Sequence, residues 1–147
     1  MAKIGIFVGT VYGNALAVAE EAQRILLEHK HQANVYEEGT LADWKKYSTV
    51  LVITSSTGQG DLPDTIAPLF HELRNNLGYQ PHLSYGLIAL GDSSYDHFCG
   101  AGIQFEALLQ EHQAKRIGEI LKIDGMDVAE PEVFAIDWLE NWVNLLD

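Results

Sequence analysis

The stretch Lys3–Glu20, KIGIFVGTVYGNALAVAE, decides the fold. It opens on an almost unbroken apolar run, Ile4-Gly5-Ile6-Phe7-Val8, of the kind that fills a strand buried on both faces of a parallel sheet. The run breaks at Gly9-Thr10-Val11-Tyr12-Gly13-Asn14, and from Ala15 the apolar residues Val18, Ala22, Ile25 and Leu26 recur at helical spacing. A strand, a tight polar turn with glycines and a helix start together make an anion site. The first N–H groups of a helix lack intrahelical partners and sit at the positive end of its dipole. Glycines let the turn curl so that these groups converge, and Thr10 and Asn14 add a hydroxyl and an amide. The turn reads as a phosphate cradle. It suits equally an ordinary strand-to-helix turn capped by Thr10 or Asn14, and the turn alone does not separate the two.

Its composition narrows the first reading. There is no Gly-Lys-[Ser/Thr], which argues against a nucleoside triphosphatase, and no G-x-G-x-x-G, which argues against a dinucleotide fingerprint. The turn holds no Lys or Arg, so neutral donors alone would hold the phosphate. That suits the monophosphate of a bound cofactor better than a reacting polyphosphate.

The 147 residues fit a single domain spanning 1–147, with enough apolar residues (47%) for a full core. The formal charge of −12 argues against nucleic acid and anionic membrane surfaces; it permits steering toward a basic partner protein, but taken alone it is better read as conferring solubility. No apolar stretch approaches the ~20 residues of a membrane span. Met-Ala-Lys followed at once by a core strand leaves no room for a secretory signal, and the one cysteine, Cys99, cannot form an intrachain disulfide. A cytoplasmic protein is expected. The six histidines show no ligand spacing on a common helix face, so no metal site is expected, and His29 and His31 are expected to be solvated.

Working outward, Gln32–Glu37 reads as a second strand and Glu38–Ser48 as a connector whose Trp44 packs on the sheet. Val50–Ile53 is a third strand, leading through a polar loop into a helix with Ile66, Leu69, Phe70 and Leu73 on one face. Tyr85–Leu90 is a fourth, and its helix carries Phe105, Leu108, Leu109 and His112 on one face. A fifth strand is expected at Arg116–Ile123. It is followed by a polar loop and a last helix over Glu132–Leu146, presenting Trp138, Leu139, Trp142, Val143 and Leu146 to the core. Five strands alternating with helices imply an α/β three-layer sandwich around a parallel sheet of order 2-1-3-4-5. Ligands bind such sheets beyond the carboxyl ends of the strands, and the loops after strands one, three and four are the richest in Gly, Ser, Thr and Asp.

Those three loops resemble the flavodoxin family, and the resemblance spans the whole chain. Thr10-Val11-Tyr12-Gly13-Asn14-Ala15 resembles the family's phosphate loop. Ser55-Ser56-Thr57-Gly58-Gln59-Gly60-Asp61 resembles the loop that reaches the inner face and N5 of a flavin. Gly91-Asp92-Ser93-Ser94-Tyr95-Asp96-His97-Phe98-Cys99 is similar to the outer-face loop, and to that of diflavin-reductase FMN domains. The fifth-strand insertion of long-chain members is lacking, so the chain is most similar to the small MioC- and YqcA-type branch. Tyr12 stands where the family usually has a hydroxyl residue, and Thr57 where many relatives have an aromatic ring.

The resemblance implies FMN as cofactor, held by Thr10–Ala15, Ser56–Gly60, Leu90–Asp92, Tyr95, Phe98 and Cys99. Tyr95 offers a flat π surface to the ring. Phe98 lines the ring edge or anchors its loop in the core. Gly58, lacking a Cβ, leaves its peptide free to change conformation near N5. Asp61, Asp64, Asp92 and Asp96 are expected near the ring, disfavouring an anionic reduced flavin. Cys99 has no flanking Lys or Arg and reads as a small semi-buried residue rather than a nucleophile.

The implied role is a monomeric electron carrier between a basic flavodoxin/ferredoxin-NADP reductase and an unidentified redox enzyme. No acid/base pair or nucleophile–base constellation is visible, which fits a carrier rather than a catalyst. The alternatives are an FMN-dependent NAD(P)H oxidoreductase of quinone-reductase type, or an FMN-free binding module. A receiver domain fails for want of its acidic cluster after strand one, where Gly9-Thr10 stand.

Overall fold

Alternate residues of β1 (Lys3–Gly9) feed two different cores. Ile4, Ile6 and Val8 enter one apolar cluster and Phe7 the other, so the strand is buried on both sides. The same split runs through β3 (Thr49–Thr54), with Leu51 and Ile53 on one face and Val50 and Val52 on the opposite one. It continues in β4 (Ser84–Gly91), with Ile88 and Leu90 set against Tyr85 and Leu87. Each aliphatic side chain so enclosed contributes roughly 1.5–3 kcal/mol.

The computed structural model describes residues 2–146. β2 (Gln32–Tyr36) lies at one edge and β5 (Lys115–Arg116) at the other, in the order β2-β1-β3-β4-β5, every pair parallel. α1 (Asn14–Glu28) and, near the C-terminus, Leu139, Trp142 and Val143 cover one face. α3 (Ala67–Asn76) and α4 (Gly100–Glu111) cover the second, through Leu69, Phe70 and Leu73 and through Phe105, Leu108 and Leu109. This is the three-layer α/β sandwich expected of the alternating pattern.

Three boundaries differ from the sequence reading. In the connector, α2 (Leu41–Trp44) forms a short helix because Thr40 and Asp43 close a reciprocal cap. It drives Trp44 into an aromatic group with Phe7 and Tyr47, where the Trp44 indole N–H donates to Gln80 Oε1 at 2.8 Å. Gln80 Nε2 lies 3.2 Å from Nδ1 of the buried His112.

The fifth strand, expected as Arg116–Ile123, is split into β5 and β6 (Leu121–Asp124), both paired with β4. Tyr85 pairs with Arg116 and Ile88 with Leu121, so Ile117–Ile120 bulge opposite Gly86-Leu87. Gly118, at φ 74°, makes the left-handed step that the bulge needs. The indoles of Trp142 and Trp138 bind the freed carbonyls of Ile117 and Glu119, each at 3.0 Å.

The last helix, expected as Glu132–Leu146, divides at the buried Ala135 into α5 (Pro131–Phe134) and α6 (Ile136–Val143). Trp138 stacks on Trp142 at a centroid distance of 5.9 Å and stays half-buried, because its N–H is committed to the bulge.

His31 is not simply solvated: its Nδ1 accepts the Ala2 amide N–H at 2.8 Å, and burial holds its pKa below the usual histidine value. A proton on Nδ1 would remove that acceptor. The contribution is present above the ordinary histidine pKa near 6.5 and is lost as pH falls through it toward the lowered folded value. His31→Gln is therefore expected to flatten part of the dependence of Tm on pH between about 7 and 5; an unchanged profile would refute the assignment.

The bulge rests on close packing of Trp142 over β4. A Cβ at Gly86 would lie 2.6 Å from Trp142 Cε2 and Nε1. Gly86→Ala is expected to cost about 1–3 kcal/mol, read as a fall in Tm of roughly 3–10 °C with loss of near-ultraviolet tryptophan dichroism.

Candidate functional site

Because β1, β3, β4 and β6 run parallel, their carboxyl ends gather at one sheet edge, where a cleft of about 730 Å³ opens. That volume is in the range of cofactor pockets. Val11, Tyr12 and Asn14 line it from the first loop and Ser55, Ser56, Thr57 and Gly58 from the second. Leu90, Gly91, Asp92, Tyr95, His97 and Cys99 come from the third. Among the described residues, no Lys or Arg lines it.

The first loop is shaped by its backbone. Thr10 Oγ1 accepts the Gly13 N–H at 2.9 Å, and the Thr10 N–H donates to Thr65 Oγ1 at 3.0 Å, so the loop is tied to the segment before α3. Gly13, at φ 91°, is the N-cap of α1, and no side chain among the described residues caps that helix. A Cβ at Gly13 would meet nothing within 4 Å, so the backbone at the start of α1 is uncrowded. Thr10 thus turns the chain, Asn14 faces the cleft, and Ala15 is fully buried behind it. Tyr12 stands almost wholly in solvent at 93% exposure.

The second loop is pinned at its flanks. Thr57 and Asp61 exchange backbone hydrogen bonds, each at 2.9 Å, and Ser55 N–H donates to Gly9 O at 2.9 Å. Gly58 adopts φ 43° with open space where a Cβ would be, so its peptide forms the cleft wall. Gln59 and Gly60 lie outside that wall, Gly60 being packed against His97 and Gly100.

In the third loop Tyr95 is half-exposed at the rim, while Phe98 is half-buried and does not line the cleft. Of the four aspartates expected near a ring, Asp92 lines the cleft, Asp64 lines a separate small groove, and Asp61 and Asp96 line neither. Cys99 is fully buried at φ 57°, with its thiol 3.4 Å from Ala89 O, and burial pushes its pKa up to about 11.

The sequence reading missed a fourth wall, made by Ile123 at the end of β6 and by Gly125, Val128, Ala129 and Pro131 beyond it. The available signal was topological: a fifth strand parallel to the others delivers its loop to the same edge. Asp124 ties this wall to the third loop, accepting the Ser93 N–H at 3.1 Å and the Met126 N–H at 2.9 Å. Hydrogen bonds from the hydroxyl and amide of Ser93 and the amide of Met126 hold its carboxyl below the usual range.

A family model described as flavodoxin matches residues 6–138, and the chain belongs to that family of electron carriers. Its relatives include Flavodoxin YqcA of Pectobacterium carotovorum subsp. carotovorum, 58% identical over 149 residues, covering 100% of this chain and 99% of that protein. Protein MioC of Escherichia coli (strain K12) is 37% identical over 146 residues, with 99% of each chain covered. Among solved structures, a cysteine-to-serine mutant of flavodoxin from Pseudomonas aeruginosa superposes with a TM-score of 0.92 at 35% identity, covering 98% of each chain. Within the family this is a short-chain member of the MioC/YqcA type.

The buried thiol offers a check on the site. Reaction follows the thiolate, and a pKa near 11 in place of the ordinary value leaves about 100-fold less of it at pH 8. Iodoacetamide is expected to label Cys99 in the folded chain at least about 100-fold more slowly than in guanidinium, as followed by mass spectrometry; comparable rates would show an accessible thiol.

Proposed function

We propose that this chain binds FMN in the cleft and carries electrons one at a time from a basic flavodoxin/ferredoxin-NADP reductase to a redox enzyme. The observation that carries this reading is the meeting of three loops around one cleft, with an uncapped helix N-terminus at the first and an aromatic ring at the rim of the third. The residues fit the cofactor. Free amides of the first turn of α1, with the Asn14 side chain, supply neutral donors for a monophosphate. Tyr95 supplies a stacking surface that remains partly in water. Thr57 and Gly58 supply a wall of small side chain and backbone for the inner face, and Leu90 adds apolar surface.

FMN supplies the redox chemistry, accepting and releasing electrons singly or in pairs. The protein's part is to bind, orient and tune. Gly58 is the point where the wall can respond to a change at the ring, since its peptide carries no Cβ and meets no neighbour there. Asp92 brings negative charge to the cleft, and no lining Lys or Arg among the described residues offsets it, which disfavours an anionic reduced ring. The net charge of −12 favours a basic partner, and we infer a monomer working in the cytoplasm.

Titrating the purified chain with FMN, followed by quenching of flavin fluorescence, tests the reading. Saturable one-to-one uptake is expected, and Tyr95→Ala is expected to weaken it about tenfold, equivalent to about 1.4 kcal/mol. Reduction of the loaded protein by a purified flavodoxin reductase with NADPH then tests the carrier role. Rapid reduction by NADPH alone would favour the quinone-reductase class instead, and no uptake at all would leave an FMN-free binding module.

A further inference from the structure

Gln104 belongs to none of the three loops, yet it reaches one of them. It lies on the exposed side of the first turns of α4, and its Nε2 donates to Gly60 O at 2.9 Å. One turn earlier on α4, the Ala101 N–H donates to Ser56 Oγ at 2.9 Å. Backbone packing closes the joint: a Cβ at Gly100 would lie 2.6 Å from Gly60 Cα, and one at Gly60 would lie 2.7 Å from His97 Cβ. The start of α4 therefore grips the second loop on both sides of Gly58-Gln59. The same helix start is the end of the third loop, since Cys99 is its N-cap.

We propose that Gln104 is a positioning residue for the second loop. Its amide anchors the Gly60 carbonyl to α4; with Thr57 already paired to Asp61, the loop's freedom is confined to Gly58 and Gln59. The consequence for the flavin rests on the FMN reading above. A loop held at both flanks presents the Gly58 peptide with little ordering left to do, so any hydrogen bond that it offers in one oxidation state and not in another keeps its full strength. A loop released at Gly60 must be ordered first, and the differential shrinks. Because α4 also terminates the third loop, the two ring-facing loops share one support.

The test compares the unmodified chain with Gln104→Met and Gln104→Glu, which keep the length of the side chain and lose the donor. Gln104 is exposed, so neither change disturbs the core. Gln110→Met serves as the control, removing a donor on the same helix that binds Tyr85 Oη at 2.7 Å and not the loop. Hydrogen exchange on the FMN-free chain is expected to quicken about tenfold at the Gly60 and Asp61 amides in both Gln104 variants, with β1 and β3 amides unchanged, and not to quicken there in the control. In the FMN-loaded chain, the separation between the two one-electron potentials is expected to narrow about tenfold in equilibrium constant, about 59 mV for a one-electron couple.

Unchanged exchange at Gly60 and Asp61, or equal quickening throughout the sheet, would overturn the clamp. Quickened exchange with unaltered potentials would overturn its reach to the flavin. If the chain takes up no FMN, it is the cofactor reading that fails, and the exchange data decide the clamp on their own.

Discussion

The pairing of β1 with β3 and of β3 with β4, all in the same direction, is the constraint on which the rest depends. It aligns Val8 with Ile53 and Ile53 with Ile88 across the sheet, and every one of those side chains is sealed on the same face. A one-residue slip would turn each of them into the opposite layer, where Phe7, Val52 and Leu87 already fill the space. The register cannot move without exchanging two cores. Once it is set, the carboxyl ends of these strands terminate together, and their loops have no other place to be.

What the loops do with that shared edge depends on close backbone approach. Gly13 and Gly58 occupy the left-handed region, Gly58 with its peptide in the cleft wall, while Gly60 and Gly100 bring the second loop against the start of α4. A site built from peptide groups and small polar side chains suits a neutral-donor grip on a phosphorylated planar group. Asp92 is the one carboxylate among the described residues lining the cleft. Asp124 joins the third and fourth loops through backbone N–H groups, and that tie is present above the ordinary aspartate pKa and lost as pH falls through its lowered value.

Much of this was legible in the linear chain where the relevant contact is local or periodic. Ile4–Val8 and Val50–Ile53 announce doubly buried strands, and the turn at Gly9–Asn14 announces a helix start with free donors. The split fifth strand was not legible: nothing between Arg116 and Ile123 except Gly118 interrupts a strand pattern, and the carbonyl partners that stabilise the bulge are indoles from α6. The fourth cleft wall carries no motif: Val128, Ala129 and Pro131 matter only for where the sheet sends them, which the parallel order alone indicates.

By itself, then, the order of residues determined the alternation of strands and helices, the direction of the sheet and the chemistry of its three polar loops, since all of these follow from side-chain periodicity and from backbone freedom over a few neighbouring residues. The tertiary structure decided which loop residues face the cleft, how the edge strand breaks, and that Gln104 grips a carbonyl 44 residues away. Those outcomes turn on close packing between segments remote in the chain, such as Trp142 over Gly86 and Gly60 against Gly100. No local pattern encodes them, because each is the outcome of many competing contacts settled only when both layers have closed on the sheet.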